Sequence, residues 1–418
     1  MILSILTGSI FERKKVMKYD FTTMLDRRGW DSIAADMVEN DLWEIPKGTT
    51  LPGFDQIPMW IADMNFAAAD SIIEAIQRRA AHPSFGYFIP SEDYYSAIVR
   101  WQREGNGVTD LTREHIGYEN GVLGGITSAM RVLCSDGDVV LLHSPTYNGF
   151  TSQLERNGYK IILSPLKLDK DNVWRMDFAD MEQKLRQYRI HTALLCSPHN
   201  PTGRVWERWE LEQAMELYRK YDVYVISDEI WSDLTLFGHS HIPTQSISED
   251  ARNRTAAFYA PTKTFNLAGL VGSYHIIYNR YLRDRITRYE ALSHYNDMNV
   301  LSMHALVGAY QPEGRVWLNE LKTVLEQNIR FAYDFIQEHF EGVHLSMPQG
   351  TYMILIDCAE WCRRHGKTIE DLQQAGIQVG VIWREGSMYH VPYGIRINLA
   401  LPHEKVAEAF SRLKQYVF

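Results

Sequence analysis

Four cysteines in 418 residues are too few and too scattered for a disulfide framework. Cys358 and Cys362 stand four apart, but no second Cys or His pair at zinc-ligand spacing accompanies them. They read as thiols on a helix face, no metal is expected, and unpaired thiols fit a reducing cytoplasm. No stretch approaches the roughly 20 uncharged apolar residues that a spanning helix needs, which argues against a membrane protein. Positive charge is also short. Lys and Arg number 43 against 52 Asp and Glu, a net −9 that argues against a nucleic-acid surface. Arg283, Arg285 and Arg288 read as a solvated helix face. Internal repeats and low-complexity linkers are missing too. The opening MILSILTGSI is apolar, but its basic run Arg13-Lys14-Lys15 follows it, the wrong order for a secretory signal. Residues 1–16 therefore read as a tail ahead of Met17.

What the chain does have is core-forming material. It is 45% hydrophobic and 12% aromatic, which excludes a disordered chain, and its length predicts two or three domains. Apolar runs of strand length occur at 138–143, 161–164, 192–196, 223–227, 255–259 and 273–278. Helical patterns lie at 67–80, 121–133, 177–188 and 207–221. Continuous rather than alternating apolar strands, separated by helices, predict a largely parallel sheet buried on both faces. Residues 317–340 then read as one long amphipathic helix, followed by short strands at 352–356 and 395–399 and a final helix from about His403. That change of texture predicts a smaller α+β domain over 301–418, completed by residues 17–60, beside a large domain over 61–300.

In open parallel sheets, function gathers at the loops beyond the strands' carboxyl ends. Four such loops carry unusual polar residues: SPTYNGF with Tyr147, SPHNPTG with Asn200, Asp228-Glu229-Ile230-Trp231, and APTKTFNLAGL with Lys263. Singly each has an ordinary explanation as turn, cap, packing or solvated charge. Together they are the groups that pyridoxal phosphate requires. Its aldehyde needs an amine, its pyridine nitrogen an anion, its phenolate oxygen a donor, and its ring a flat surface. Its phosphate needs backbone N–H groups at a helix start, which NGVLGGITSAM (120–130) can supply.

These motifs resemble the fold-type I pyridoxal-phosphate enzymes of the class I/II aminotransferase superfamily, and most closely the cystathionine β-lyase-like C–S lyases of the MalY/PatB type. The resemblance runs from about Tyr19 to the C-terminus through PMWIADMNF (58–66), FGYFIP (85–90), SPHNPTGRVW (197–206), SDEIWSDL (227–234), APTKTFNLAGL (260–270) and GIRINLALP (394–402). It implies an aspartate-aminotransferase-like α/β fold, with a mostly parallel seven-stranded sheet flanked by helices and a smaller α+β domain. Lys263 would form the Schiff base, Asp228 would pair with the pyridine nitrogen, Asn200 would bond the phenolate oxygen, and Tyr147 would stack on the ring. Val122 and Leu123, after Gly121, would hold the phosphate with help from Thr262. Tyr87 would reach the phosphate of a neighbouring subunit in a homodimer. Arg396 would clamp the substrate carboxylate, a reading strengthened by its place inside an apolar run. Ala62, Trp60, Ile61, Tyr352 and the 383–389 loop would line the substrate pocket, although Tyr352 reads equally as packing.

Three positions depart from the family pattern. Asn65 stands where the subgroup has an aspartate, and Trp231 where many relatives have His or Tyr, although its indole N–H can still donate to the cofactor. Val271 lies eight residues after Lys263, where many aminotransferases place a phosphate-binding arginine. The expected activity is α,β-elimination from cystathionine or another cysteine S-conjugate. The alternatives are an aminotransferase, which shares every cofactor residue, and a non-catalytic binding protein, which the intact Asn200, Asp228, Lys263 and Arg396 argue against.

Overall fold

The computed structural model describes residues 17–36, 46–293 and 295–418, so the tail expected over 1–16 lies outside the described residues. Seven strands build the main sheet: β1 (Ile116–Asn120), β2 (Val139–Ser144), β3 (Lys160–Pro165), β4 (Thr192–Cys196), β5 (Tyr224–Asp228), β6 (Thr255–Tyr259) and β7 (Gly272–Ile276). Across the sheet they run β1-β7-β6-β5-β4-β2-β3. β2 to β6 are mutually parallel, whereas β7 is antiparallel to both β6 and β1. Two reversals restore the direction, so β1 ends at the same edge of the sheet as the parallel strands.

The unbroken apolar runs follow from burial on both faces. In β4, Leu194 and Cys196 enter a core shared with Ile126 and Ala129 of the helix Val122–Leu133. Ala193 and Leu195 of the same strand pack on the other face with Leu211 and Ala214 of the helix Arg208–Lys220. Each such leucine contributes roughly 1.5–3 kcal/mol by leaving water.

Several boundaries differ from those the sequence predicts. The strand expected over 223–227 runs one residue later, which brings Asp228 into the sheet opposite Cys196 and Phe258. The helix expected over 67–80 starts only at Asp70, whose carboxylate suits the positive end of the helix dipole. The helix expected over 317–340 starts earlier, at Pro312, a position where the missing N–H costs nothing. Arg285 and Arg288 are exposed and Arg283 is half-buried, as a solvated helix face requires, and two of the three also make hydrogen bonds. The guanidinium groups of Arg283 and Arg285 donate to the carbonyls of Ile277 and Val132.

A second, antiparallel sheet follows, of β8 (His344–Leu345), β9 (Met353–Asp357), β10 (Arg384–Glu385) and β11 (Gly394–Asn398), in the order β8-β9-β11-β10. The helices Pro312–His339 and His403–Tyr416 lie against each other through the rings of Phe331, Phe335 and Phe410. Ile57–Pro58 pairs in parallel with Val381–Ile382, which joins the N-terminal segment to this part of the chain. No described helix is long and apolar enough to cross a membrane. All four cysteines are free. Cys196, Cys358 and Cys362 are buried and Cys134 is half-buried.

The helix Val122–Leu133 lies very close to the sheet. A Cβ at Gly125 would sit 2.5 Å from the Phe258 ring and 2.8 Å from the Glu119 carboxyl carbon. Gly125→Ala is therefore expected to cost about 1–3 kcal/mol by overpacking. Chemical denaturation should show a lowered midpoint at unchanged slope, and wild-type stability would mean that the helix shifts without penalty.

Candidate active site

The carboxyl ends of β1, β2, β4, β5 and β6 share one edge of the main sheet, and each delivers a chemically distinct group. β1 ends at Asn120 and passes through Gly121 (φ +84°) into the helix Val122–Leu133. The first amides of that helix have no partner within it. β2 leads to Tyr147, which precedes the helix Asn148–Arg156. β4 leads to Asn200, a buried residue whose backbone N–H points at the Cys196 sulfur at 3.5 Å. β5 ends in Asp228 itself. β6 leads into the single turn Pro261–Thr264, which carries buried Thr262 and half-buried Lys263. The second sheet faces this edge with Arg396 on β11.

The charges are arranged unusually. Asp228 is buried, and one of its oxygens accepts from the Ile230 amide at 3.0 Å. Burial pushes its carboxyl up to about 7. Lys263 Nζ donates to the Ala62 carbonyl at 2.8 Å, and burial lowers the ammonium to about 8. No ion pair joins the two. Arg396 is also buried. It donates to Asn200 Oδ1 at 3.2 Å and weakly to the Trp60 carbonyl at 3.4 Å, and it lies over the Tyr389 ring at 4.4 Å. Its Nε has no partner, and it forms no ion pair among the described residues. Tyr147 lies among these groups. Burial pushes its hydroxyl up to about 12, while the charges of Arg396 and Asp228 act on it in opposite directions.

Other predicted residues are placed as follows. The Trp231 ring meets the Tyr352 ring edge-on at 4.8 Å and lies 6.0 Å from Lys263 Nζ. Tyr352 is fully buried, and its hydroxyl donates to the Ala62 carbonyl at 3.0 Å, the acceptor that Lys263 also uses. Ala62 thus meets the site through its backbone. Trp60 is buried beneath the Arg384 guanidinium, 4.8 Å from its ring. Val271 lies beside Gly121, because the start of β7 pairs with the end of β1, so an apolar side chain borders the amide cradle. Tyr87 is not brought to the site of its own chain. It is fully exposed, in an irregular segment that also exposes Phe85 and Ile89. Asp63 and Arg27, which the sequence does not mark as site residues, form an ion pair beside Ala62. They lie 36 residues apart, and no local pattern links them.

This arrangement fits the pyridoxal phosphate that the resemblance implies. An isolated buried carboxylate, a half-buried amine that does not neutralise it, and a buried guanidinium without an anion would each be costly alone. All three are accounted for by a cationic heterocycle and an anionic substrate. The open amides after Gly121 suit a phosphate.

Comparison with known proteins agrees with this geometry. The family model for aminotransferase class I and II matches residues 55–413. The chain is 34% identical to cystathionine beta-lyase PatB of Bacillus subtilis, over 86% of this chain and 92% of that one. It is 31% identical to protein MalY of Escherichia coli, over 81% and 84% of the two chains. The solved structure of cystalysin from Treponema denticola, which contains a pyridoxal 5'-phosphate cofactor, superposes with a TM-score of 0.86 at 28% identity, covering 96% of this chain and 98% of that one. The chain belongs to the aminotransferase class I and II family.

Proposed function

We propose that this protein is a pyridoxal-phosphate-dependent C–S β-lyase, which converts L-cystathionine or a related cysteine S-conjugate to pyruvate, ammonia and a thiol. The observation that carries the reading is the set of three charges in one cleft, buried Asp228 and Arg396 and half-buried Lys263, none of which forms an ion pair with another. The relative named as a cystathionine beta-lyase supports elimination over transamination, as does the absence of an arginine at Val271.

When bound, pyridoxal phosphate supplies an electron sink for the pair released at the substrate's Cα. Lys263 would hold it covalently, Asp228 would face its ring nitrogen, Asn200 its phenolate oxygen and Tyr147 its ring, and the amides of Val122 and Leu123 would hold its phosphate, with Thr262 beside them. Trp231 closes the cleft by packing on Tyr352. Arg396 fixes the substrate's α-carboxylate and so sets the direction of the Cα–H bond. The Lys263 amine takes that proton at Nζ, and its proton affinity, lowered to about 8 by burial, leaves a usable fraction of it neutral near physiological pH. The Ala62 carbonyl then accepts a hydrogen bond from the ammonium that results. The Cβ–S bond breaks in the same elimination, the sulfur leaves as a thiolate that takes up the proton held at Lys263 Nζ, and the released aminoacrylate is hydrolysed by water to pyruvate and ammonia.

A second copy of the chain completes the site. The exposed Phe85, Tyr87 and Ile89 support this, and Tyr87 serves the neighbouring phosphate. Four free cysteines are in keeping with a cytoplasmic enzyme. Incubation with cystathionine alone, with no 2-oxo acid added, is expected to release thiol and pyruvate in parallel through many turnovers. Release that stops at one equivalent per site until a 2-oxo acid is supplied would identify an aminotransferase instead.

A further inference from the structure

Residues 59–66 cross the site as a strap with no regular structure beyond the short pairing at 57–58, and most of its polar groups are clamped. The Asn398 amide donates to the carbonyls of Ile61 at 2.8 Å and Asp63 at 2.5 Å. The Asn266 side chain takes both the N–H and the C=O of Met64, at 2.9 and 3.0 Å. The Asn65 N–H donates to the Ala400 carbonyl at 3.1 Å. These clamps leave the Ala62 carbonyl to the Lys263 amine and the Tyr352 hydroxyl.

The carboxylate of the next residue, Asp63, forms no ion pair with the amine. It accepts from both terminal nitrogens of Arg27, at 2.8 and 3.3 Å, and Arg27 Nη2 reaches on to Asn65 Oδ1 at 3.0 Å. Asn65 is buried, and its Nδ2 finds no partner among the described residues. An aspartate there would serve Arg27 equally and leave no orphan donor, so the amide carries a local cost. What it preserves is charge balance. With Asn65 the group holds one cation and one anion, whereas with a second carboxylate it would hold one cation and two anions.

We propose that Arg27, steadied by Asn65, is a positioning residue that withholds the Asp63 carboxylate from Lys263 and so lets the amine give up its proton for the reaction. This rests on the role of Lys263 proposed above. The charged and titratable groups facing the amine are Asp63 from the strap, Asp228 from β5, Arg396 from β11 and the Tyr352 hydroxyl, with the Trp231 ring alongside. Of the two carboxylates, Asp63 acts on Lys263 more strongly than Asp228. An Asp63 freed from Arg27 would therefore hold the ammonium and oppose deprotonation.

The test is the pH midpoint of the visible absorbance change of the purified holoenzyme, which follows the proton on Lys263 Nζ, read together with the acid limb of kcat. Arg27→Gln and Asn65→Asp should each raise both by about one pH unit, and Asp63→Asn should lower them by a similar amount. The Arg27→Gln/Asp63→Asn double variant removes one charge of each sign and should return close to wild type. A merely structural cluster would not give shifts of opposite sign. Asn65→Asp keeps Arg27 and is nearly isosteric, so it remains informative if the arginine variant folds poorly. Unmoved midpoints, or shifts of one sign, in Asn65→Asp and Asp63→Asn overturn the inference while leaving the lyase reading intact. A wild-type protein that takes up no coenzyme overturns both.

Discussion

Lys263→Ala is expected to reduce turnover by at least about 10⁴-fold, because two functions are lost at one atom. The amine is the proposed covalent anchor, and it is also the base that takes the Cα proton, a role that alone supplies roughly 10²–10⁴. The fold should survive. Among the described residues the Lys263 side chain makes one hydrogen bond, to the Ala62 carbonyl, and that oxygen keeps its bond from Tyr352. Reduction with borohydride in the presence of pyridoxal phosphate should add one coenzyme per wild-type chain and leave the variant unlabelled at this position. Sustained turnover by the alanine variant would reject the assignment outright.

Asp228→Asn should lower kcat by orders of magnitude while making the coenzyme-free protein more stable, two effects with a single cause. The carboxylate is buried without a cation in contact, and its folded-state pKa is pushed up to about 7, well above the ordinary carboxylate range near 4. An acid whose pKa is raised by folding binds more protons folded than unfolded, so stability falls as pH rises between the two values. Above about pH 7 the full cost is present, on the order of a few kcal/mol, and below about pH 4 it vanishes. Denaturant melts of the apoprotein should therefore show the asparagine variant more stable than wild type at pH 8, with little difference at pH 4. An equal or lower midpoint at pH 8 would mean that the carboxylate has a compensating partner.

The features legible in the sequence were those written locally. β4 and β6 were found to the residue, because strands buried on both faces are continuously apolar and each ends at a proline-containing turn. β1 was missed. It is an edge strand whose residues IGYEN lack such a run, yet it carries the chain into Gly121 and the amide cradle. The helix Glu92–Asn106 was likewise missed, although Ser91 caps it by accepting from the Tyr94 amide. In the site, motif residues at strand ends could be named from spacing and resemblance. The Arg27–Asp63 pair could not, since its partners meet only after the N-terminal segment has docked beside the second sheet. Tyr352 reads equally as pocket or packing in the sequence; in the structure its ring abuts Trp231 while its hydroxyl shares an acceptor with Lys263.

The burial of the cysteines has a consequence for an enzyme that liberates a thiol at each turnover. Burial pushes the proton affinity of Cys134, Cys196, Cys358 and Cys362 upward, so none is a ready thiolate at neutral pH. Product sulfur, once oxidised to a disulfide, finds no nucleophile on the protein with which to exchange. Resistance to mixed-disulfide fouling is thus built into the packing of the core, and the catalyst can work amid its own sulfhydryl waste.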